Sequence, residues 1–332
     1  LVWTVVALED PDQSPAWDWS IEREILATAG AEFVVHDCRS QSDIAAALSG
    51  ADAAIGHVES ITMSALEGAT RCRALVQAAV GFEEVDVTAA ARLGIAIAHV
   101  PDYCTDEVSD HAMAMLLALA RGLTPLEKSV RHGQWDYEAA GGLHRLRGRT
   151  LGLYGFGRIA RLVAAKAQAF GLQVFAHDPF IDHATMAKAG VEASDGLETL
   201  LASADYVSIH APLTPRTKRV FDAAALAQMR PGSYLVNVSR GGLIDEDDLL
   251  EALQAGHLAG AALDVMADEP PPPDHPLIAL DNVLVTPHAA WLSEESLRQR
   301  SVLSAEAVVA ALEGRMPPHT VNGEDGFPWL EA

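Results

Sequence analysis

Ten residues, Leu151-Gly152-Leu153-Tyr154-Gly155-Phe156-Gly157-Arg158-Ile159-Ala160, pass from a short apolar run through a glycine turn into a helical pattern. Strand, glycine turn and helix in that order commit this part of the chain to a βαβ unit and so to a parallel sheet. Gly155 permits the tight turn, Gly157 lets backbone come close to a pyrophosphate, and Ala160 takes the third small position where helix meets strand. The open N–H groups at the start of this helix, in the turn carrying Arg158 and Ile159, suit phosphate charge. Such a turn is common by itself, so the next strand decides. Residues 172–177 run into Asp178, 23 residues after Gly155 (178 − 155). A carboxylate there accepts hydrogen bonds from a ribose 2′-hydroxyl and repels a 2′-phosphate, and no arginine follows it in 179–182. The reading is a dinucleotide site that takes NAD in preference to NADP.

At 332 residues the chain is too long for most single cores, and two domains are expected. Its 46 Asp and Glu against 23 Lys and Arg leave a formal charge of −23, which disfavours nucleic acid and anionic membranes as partners. Cys38, Cys72 and Cys104 lack metal or disulfide spacing, which suits a reducing cytosol and predicts no metal site. No apolar run reaches membrane-spanning length and the opening Leu1-Val2-Trp3 does not read as a signal peptide, so the expected location is cytoplasmic.

Strand-like and helical stretches alternate almost throughout. The first series comprises strands at 3–8, 32–35, 52–55, 74–78 and 95–98 and helices at 21–29, 43–48, 62–68 and 84–92. Pro101 then interrupts it, and Thr105-Asp106-Glu107 opens a helix to about Arg121 with acids in its first turn. That helix is apolar on most sides from Val108 to Leu119, so burial between domains or subunits is expected for it. A larger series spans Leu151 to about His288. A last helix near 294–312, stopped by Gly314, is expected to return to the first domain.

Three strand ends in the second series each carry a reactive side chain, and in open α/β sheets ligands bind at such ends. Tyr234–Asn237 leads to Arg240, followed by Gly241 and Gly242, which permit close approach; a guanidinium there suits bidentate binding of a carboxylate. Ala261–Leu263 leads to Asp264, placed to contact a nicotinamide carboxamide, and then to Glu269 ahead of a proline run. Val283–Thr286 leads through Pro287 to His288, placed for acid–base work. Alone, each has a bland counterpart: a surface salt bridge, a loop acid, a capped core histidine. Together they form a mechanism. Arg240 holds the carboxylate of a 2-oxo acid, His288 gives a proton to the neighbouring carbonyl oxygen as hydride arrives, and Glu269 favours protonated His288 and fixes its tautomer.

These residues carry a family resemblance. The chain is similar to the D-isomer-specific 2-hydroxyacid dehydrogenases nearly end to end, most specifically over Met229–Asp245. The resemblance implies an α/β fold of two Rossmann-like, doubly wound parallel-sheet domains with the active site in the cleft between them. The catalytic domain would be discontinuous, 1–99 with 292–332, and the NAD-binding domain 100–291. It implies homodimers, with the 105–121 helix near the interface, and D-stereochemistry. Arg240, Glu269 and His288 match the family's catalytic triple. Residues 79–86 resemble the substrate loop, where amides near Val80 and Gly81 meet the substrate carboxylate; Glu83-Glu84 departs from the more usual Asp-Asn there. Residues 101–108 resemble the hinge, which puts Thr105 near the cofactor. His210-Ala211-Pro212-Leu213-Thr214 resembles the loop under the adenosine and nicotinamide ribose, and with Thr217, Val238 and Ser239 it is implied to line the cofactor. Within the family, Arg145–Gly152, Pro287–Trp291 and Gly314–Pro317 most resemble the C-terminal-binding protein branch, which makes Trp291 one wall of the pocket. With Tyr103 and Phe82, Trp291 predicts better turnover of aromatic or branched 2-oxo acids than of glyoxylate.

Other functions compete. An NAD-sensing, co-repressor-like scaffold with little turnover would share the fold, but no basic run or disordered tail accompanies it here. Formate dehydrogenases carry glutamine where Glu269 stands. A phosphoglycerate dehydrogenase would want extra cations in the first domain, where arginines are few and lysines absent.

Overall fold

A computed structural model describes residues 2–11, 17–58, 60–83, 85–323 and 327–330. The chain forms two compact units, Leu1–Cys104 with Ser293–Ala332, and Thr105–Leu292. The unit boundaries fall at 104/105 and 292/293, against the 99/100 and 291/292 expected.

In the first unit, β1 (Trp3–Glu9), β2 (Ala31–Asp37), β3 (Ala53–His57), β4 (Ala74–Gln77) and β5 (Ala96–His99) form a parallel sheet of order β2-β1-β3-β4-β5. Parallel strands need helical crossovers, supplied by α1 (Ser20–Thr28), α2 (Gln41–Leu48), α3 (Met63–Leu66) and α4 (Val87–Arg92). Helix α4 starts later than the apolar pattern suggests because Asp86 caps it, accepting the Ala89 amide at 2.9 Å.

The second unit opens with α5 (Thr105–Ala120) and α6 (Leu123–Arg131). Its sheet is built from β6 (Thr150–Tyr154), β7 (Gln173–His177), β8 (Glu192–Ala193), β9 (Tyr206–Ile209), β10 (Ser233–Asn237), β11 (Leu258–Leu263) and β12 (Val283–Val285). All seven strands are parallel in the order β12-β11-β10-β9-β6-β7-β8, so the winding reverses between β6 and β9. Helices α7 (Arg158–Ala169), α8 (His183–Lys188), α9 (Leu197–Ser203), α10 (Ala223–Gln228) and α11 (Glu246–Gln254) complete the unit. Helix α12 (Glu294–Leu312) opens at a reciprocal cap, in which the Ser293 hydroxyl accepts from the Ser296 amide and the Ser296 hydroxyl accepts from the Ser293 amide. It packs on β3 and β4 of the first unit.

One expectation needs correcting. Helix α5 is buried, but against α7, β10 and β11 of its own unit, so its apolar sides require no second subunit to cover them. Four of the exposed large apolar residues lie just beyond it, at Leu123, Val130, Trp135 and Tyr137.

Candidate active site

Every residue that the sequence singles out in the second unit, Thr105 and Trp291 apart, lies on or just beyond the carboxyl end of a strand or in the loop or helix start that follows it. Gly155 follows β6, Asp178 follows β7, His210 follows β9, Val238–Arg240 follow β10, Asp264 follows β11 and His288 follows β12. These strands are consecutive neighbours in the sheet, so the ends form one continuous edge that includes the reversal between β6 and β9.

At the β6 end, Gly155 has φ +94°, and a Cβ there would stand 2.7 Å from the His210 carbonyl oxygen. Only glycine fits both the conformation and the space. Gly157 is different: it starts α7 from extended backbone, and a Cβ built on it meets nothing within 4 Å. That open approach to the first amides of α7 is what a pyrophosphate needs. Arg158 is exposed and Ile159 half-buried in this first turn, with Ala160 fully buried beneath. Asp178 is held in place, one oxygen accepting the Phe156 amide at 2.8 Å and the other the Phe180 amide at 2.9 Å. The carboxylate expected to read the ribose is thus tied to the glycine turn itself. In the loop after β9, Ala211 is buried, Pro212 is exposed, and the Thr217 hydroxyl closes the loop by donating to the Pro212 carbonyl at 2.7 Å. Burial pushes the His210 imidazole down to about 4, and its Nε2 lies 2.8 Å from the Ser208 hydroxyl.

At the β10 end a side chain missed by the sequence reading shapes the turn. Asn237 is fully buried; its Nδ2 donates to the Arg240 carbonyl at 2.9 Å and its Oδ1 accepts the Ser239 amide at 3.0 Å. An asparagine ending an apolar strand was the available signal. The Ser239 hydroxyl donates to the Ile209 carbonyl at 2.8 Å, and Val238 is buried behind it. Arg240 is half-buried and its Nη1 donates to the Ser239 carbonyl at 2.8 Å. A Cβ on Gly241 would lie 2.0 Å from the Met266 carbonyl carbon, so the Arg240 turn presses directly on the backbone leading to Glu269.

Glu269 and His288 meet. The Glu269 Oε2 lies 2.7 Å from the His288 Nδ1, and its Oε1 accepts the Met266 amide at 2.9 Å. Burial acts to raise the Glu269 carboxyl, but the His288 hydrogen bond and charge, the Met266 amide and the Arg240 charge together hold it below its ordinary value. An ionised Glu269 accepts only, so Nδ1 carries the proton and Nε2 is the nitrogen left to exchange one.

The segment 113–290 matches the family described as D-isomer specific 2-hydroxyacid dehydrogenase, NAD binding domain. The chain belongs to that family. It is similar to D-3-phosphoglycerate dehydrogenase from Methanocaldococcus jannaschii, 37% identical over 262 residues, 79% of this chain and 50% of that protein. It is also similar to glyoxylate reductase from Korarchaeum cryptofilum, 38% identical over 267 residues and 80% of each chain. Among solved structures it resembles D-lactate dehydrogenase from Aquifex aeolicus complexed with NAD and lactic acid. That match has a TM-score of 0.85 and 25% identity and covers 97% of this chain and 100% of the other. The chain spans about half the length of the phosphoglycerate dehydrogenases it matches.

As a family member, the protein takes NAD as its cofactor, and the open Gly157, the glycine-only site at Gly155 and the anchored Asp178 fit that group. Asp264 is 1% exposed. Its Oδ1 accepts from the Thr286 hydroxyl at 2.6 Å and the Ala289 amide at 2.9 Å, while its Oδ2 accepts the Ala290 amide at 2.9 Å. With its side chain wholly buried, the carboxylate holds the turn that follows β12. Thr105 starts α5 and is half-buried, as is Trp291 in the turn before α12. In the first unit, no acceptor faces the amides of Val80 and Gly81 among the described residues, while the Val80 carbonyl lies 2.7 Å from the His99 Nδ1. Tyr103 is 6% exposed there. Glu84 lies outside the described residues.

Proposed function

We propose that the protein is an NAD-dependent reductase that converts a small, unphosphorylated 2-oxo acid into the D-2-hydroxy acid, reversibly. The observation that carries the reading is the 2.7 Å pairing of Glu269 with His288, with the charge of a half-buried Arg240 acting on Glu269. Arg240 offers a planar pair of donors to a carboxylate and polarises the adjacent carbonyl. In the first unit, the amides of Val80 and Gly81, which meet no acceptor among the described residues, are suited to a carboxylate. His288 gives a proton from Nε2 to the carbonyl oxygen in reduction and takes it back from the hydroxyl in oxidation. Glu269 holds the ring in the required tautomer and stabilises the imidazolium. The bound nicotinamide supplies or accepts the hydride.

Against a phosphorylated substrate, the first unit has no lysine. Three of its arginines are engaged and a fourth is buried. Arg71 pairs with Asp52 at 2.7 Å, Arg73 donates to the Leu312 carbonyl at 3.0 Å, Arg23 donates to the Phe33 carbonyl at 3.0 Å, and Arg300 is 2% exposed. Trp291 supports acceptance of aromatic or branched side chains, and Tyr103, buried as it is, offers less wall than the sequence suggests. The exposed Leu123, Val130, Trp135 and Tyr137 support a homodimer, and the acidic surface supports a cytoplasmic place.

The test is reduction of glyoxylate, pyruvate, phenylpyruvate, 2-oxoisocaproate and 3-phosphohydroxypyruvate with NADH and with NADPH. Turnover should favour NADH and the unphosphorylated acids. Arg240→Ala and His288→Ala should each lower kcat/KM by roughly 10²–10⁴-fold. Glu269→Gln should lower kcat and displace its pH profile. Tight NADH binding with no turnover across the panel would overturn the reading in favour of an NAD-sensing scaffold.

A further inference from the structure

His288 stands in the left-handed region, with φ +51°, a conformation that a β-carbon disfavours. Its amide donates to the Asp264 carbonyl at 2.8 Å and to the Thr286 carbonyl at 3.0 Å, and the next two amides are gripped by the Asp264 carboxylate. The turn that aims the acid–base ring therefore depends on one buried aspartate being correctly oriented.

A residue far away in sequence completes this arrangement. His111, in the middle of α5, places its Nε2 3.0 Å from the Thr286 hydroxyl and 3.5 Å from the Asp264 Oδ1. Proton accounting fixes the directions. Both Asp264 oxygens already accept backbone amides, from Ala289 and Ala290, and at 2.6 Å the Thr286 hydroxyl gives its single proton to the same carboxylate. The oxygen that Thr286 presents to His111 can then only accept, and His111 must carry its proton on Nε2. The imidazole N–H points at the Thr286 oxygen, with the Asp264 carboxylate 3.5 Å from the same nitrogen, and so holds the Thr286–Asp264 pair in place. The side chain of His111 is 26% exposed, so this is a ring at the edge of the core with one nitrogen turned inward.

We propose that His111 is a positioning residue for the reaction. It acts through Thr286 and Asp264 to hold His288 in its left-handed turn with Nδ1 on Glu269. The inference rests on the dehydrogenase reading for its consequence in turnover, but its structural core does not. Removing the N–H frees the Thr286 hydroxyl to rotate and the Asp264 carboxylate to turn. The His288 turn can then relax toward ordinary backbone, away from Glu269.

The experiment pairs kinetics with ring NMR on protein labelled with ¹⁵N-histidine, comparing wild type, His111→Leu and His111→Gln, with ring signals assigned from single-histidine variants. In wild type at neutral pH, His111 should show the Nε2–H tautomer. His111→Leu should move the His288 ring signals and lower kcat roughly 5–10-fold, with the KM for NADH within twofold of wild type. Glutamine can place an N–H where His111 Nε2 stands, so His111→Gln should restore the His288 signals and most of kcat. An Nδ1–H tautomer at His111, or His288 signals that do not move in His111→Leu, would overturn the proposal. If His111→Leu fails to fold, the wild-type tautomer and the His111→Gln comparison decide. Absence of any turnover by wild type, with the ring signals still coupled, would reject the dehydrogenase reading and leave the positioning role standing.

Discussion

Two turns on the same sheet edge carry left-handed backbone and solve the same steric problem in opposite ways. After β6 the residue is Gly155, at φ +94°; after β12 it is His288, at φ +51°. The first turn works through its backbone, by leaving a path to the amides of α7, and any side chain would strike the His210 carbonyl. The second works through its side chain, so glycine is barred. The conformational cost is offset there by amide bonds to Asp264 and Thr286 and by a carboxylate that grips the two following amides. Where a site needs only shape, the chain places glycine. Where it needs an imidazole in a strained place, it builds a buried polar network around it.

Breaking the glycine turn should have the largest effect. Gly155→Ala puts a methyl 2.7 Å from one backbone atom and 2.8 Å from another, neither able to yield as a side chain would. Added to the left-handed penalty, this should destabilise the protein by about 2–4 kcal/mol and weaken NADH binding at least tenfold. Urea unfolding and fluorescence titration would show it. A variant with wild-type stability and affinity would mean the turn does not need glycine.

At the other turn the same logic runs in reverse. His288→Gly and His288→Ala both lose the imidazole and the Glu269 contact, so both should lack turnover. They differ only in tolerance for φ +51°. Glycine ordinarily costs stability relative to alanine, yet here it should be the more stable by about 1 kcal/mol. Equal midpoints in urea, or a more stable alanine variant, would show that the turn relaxes once the ring is gone.

The contrast also explains what could be read from the sequence. Glycines and an acid at fixed spacing expose the first turn because its chemistry is local: Gly155, Gly157 and Asp178 lie within one βαβ unit. Arg240, Glu269 and His288 were legible because each follows a buried strand, and strand ends in a parallel sheet converge. The support behind them was not. Asn237 bonds across a three-residue turn, and His111 and Thr286 are 175 residues apart, joined only by the packing of α5 on the sheet. A histidine on a helix and a threonine before a proline carry no spacing that points to one another. The cover for α5 was equally hidden: its apolar sides announced burial, but not that α7, β10 and β11 would supply it.

The smallest effect separates the two turns by pH. His210 provides the carbonyl that walls Gly155, and burial holds its imidazole down to about 4, against an ordinary value near 6.5. Between those values the unfolded chain binds a proton that the folded chain refuses. The contribution is therefore complete above about pH 6.5 and is lost as pH falls toward about 4. Glu269 responds differently: its carboxyl lies below its ordinary value, so through most of that window the His288 pair stays intact. Acidification from pH 6.5 to 4.5 should thus loosen the glycine turn before the histidine turn. The Tm of wild type should fall more steeply over this range than that of His210→Asn, whose side chain does not titrate. NADH affinity should decline in parallel while the ring signals of His288 keep their contact with Glu269. Identical Tm slopes for the two proteins would remove His210 as the acid-sensitive element and leave the two turns equally robust.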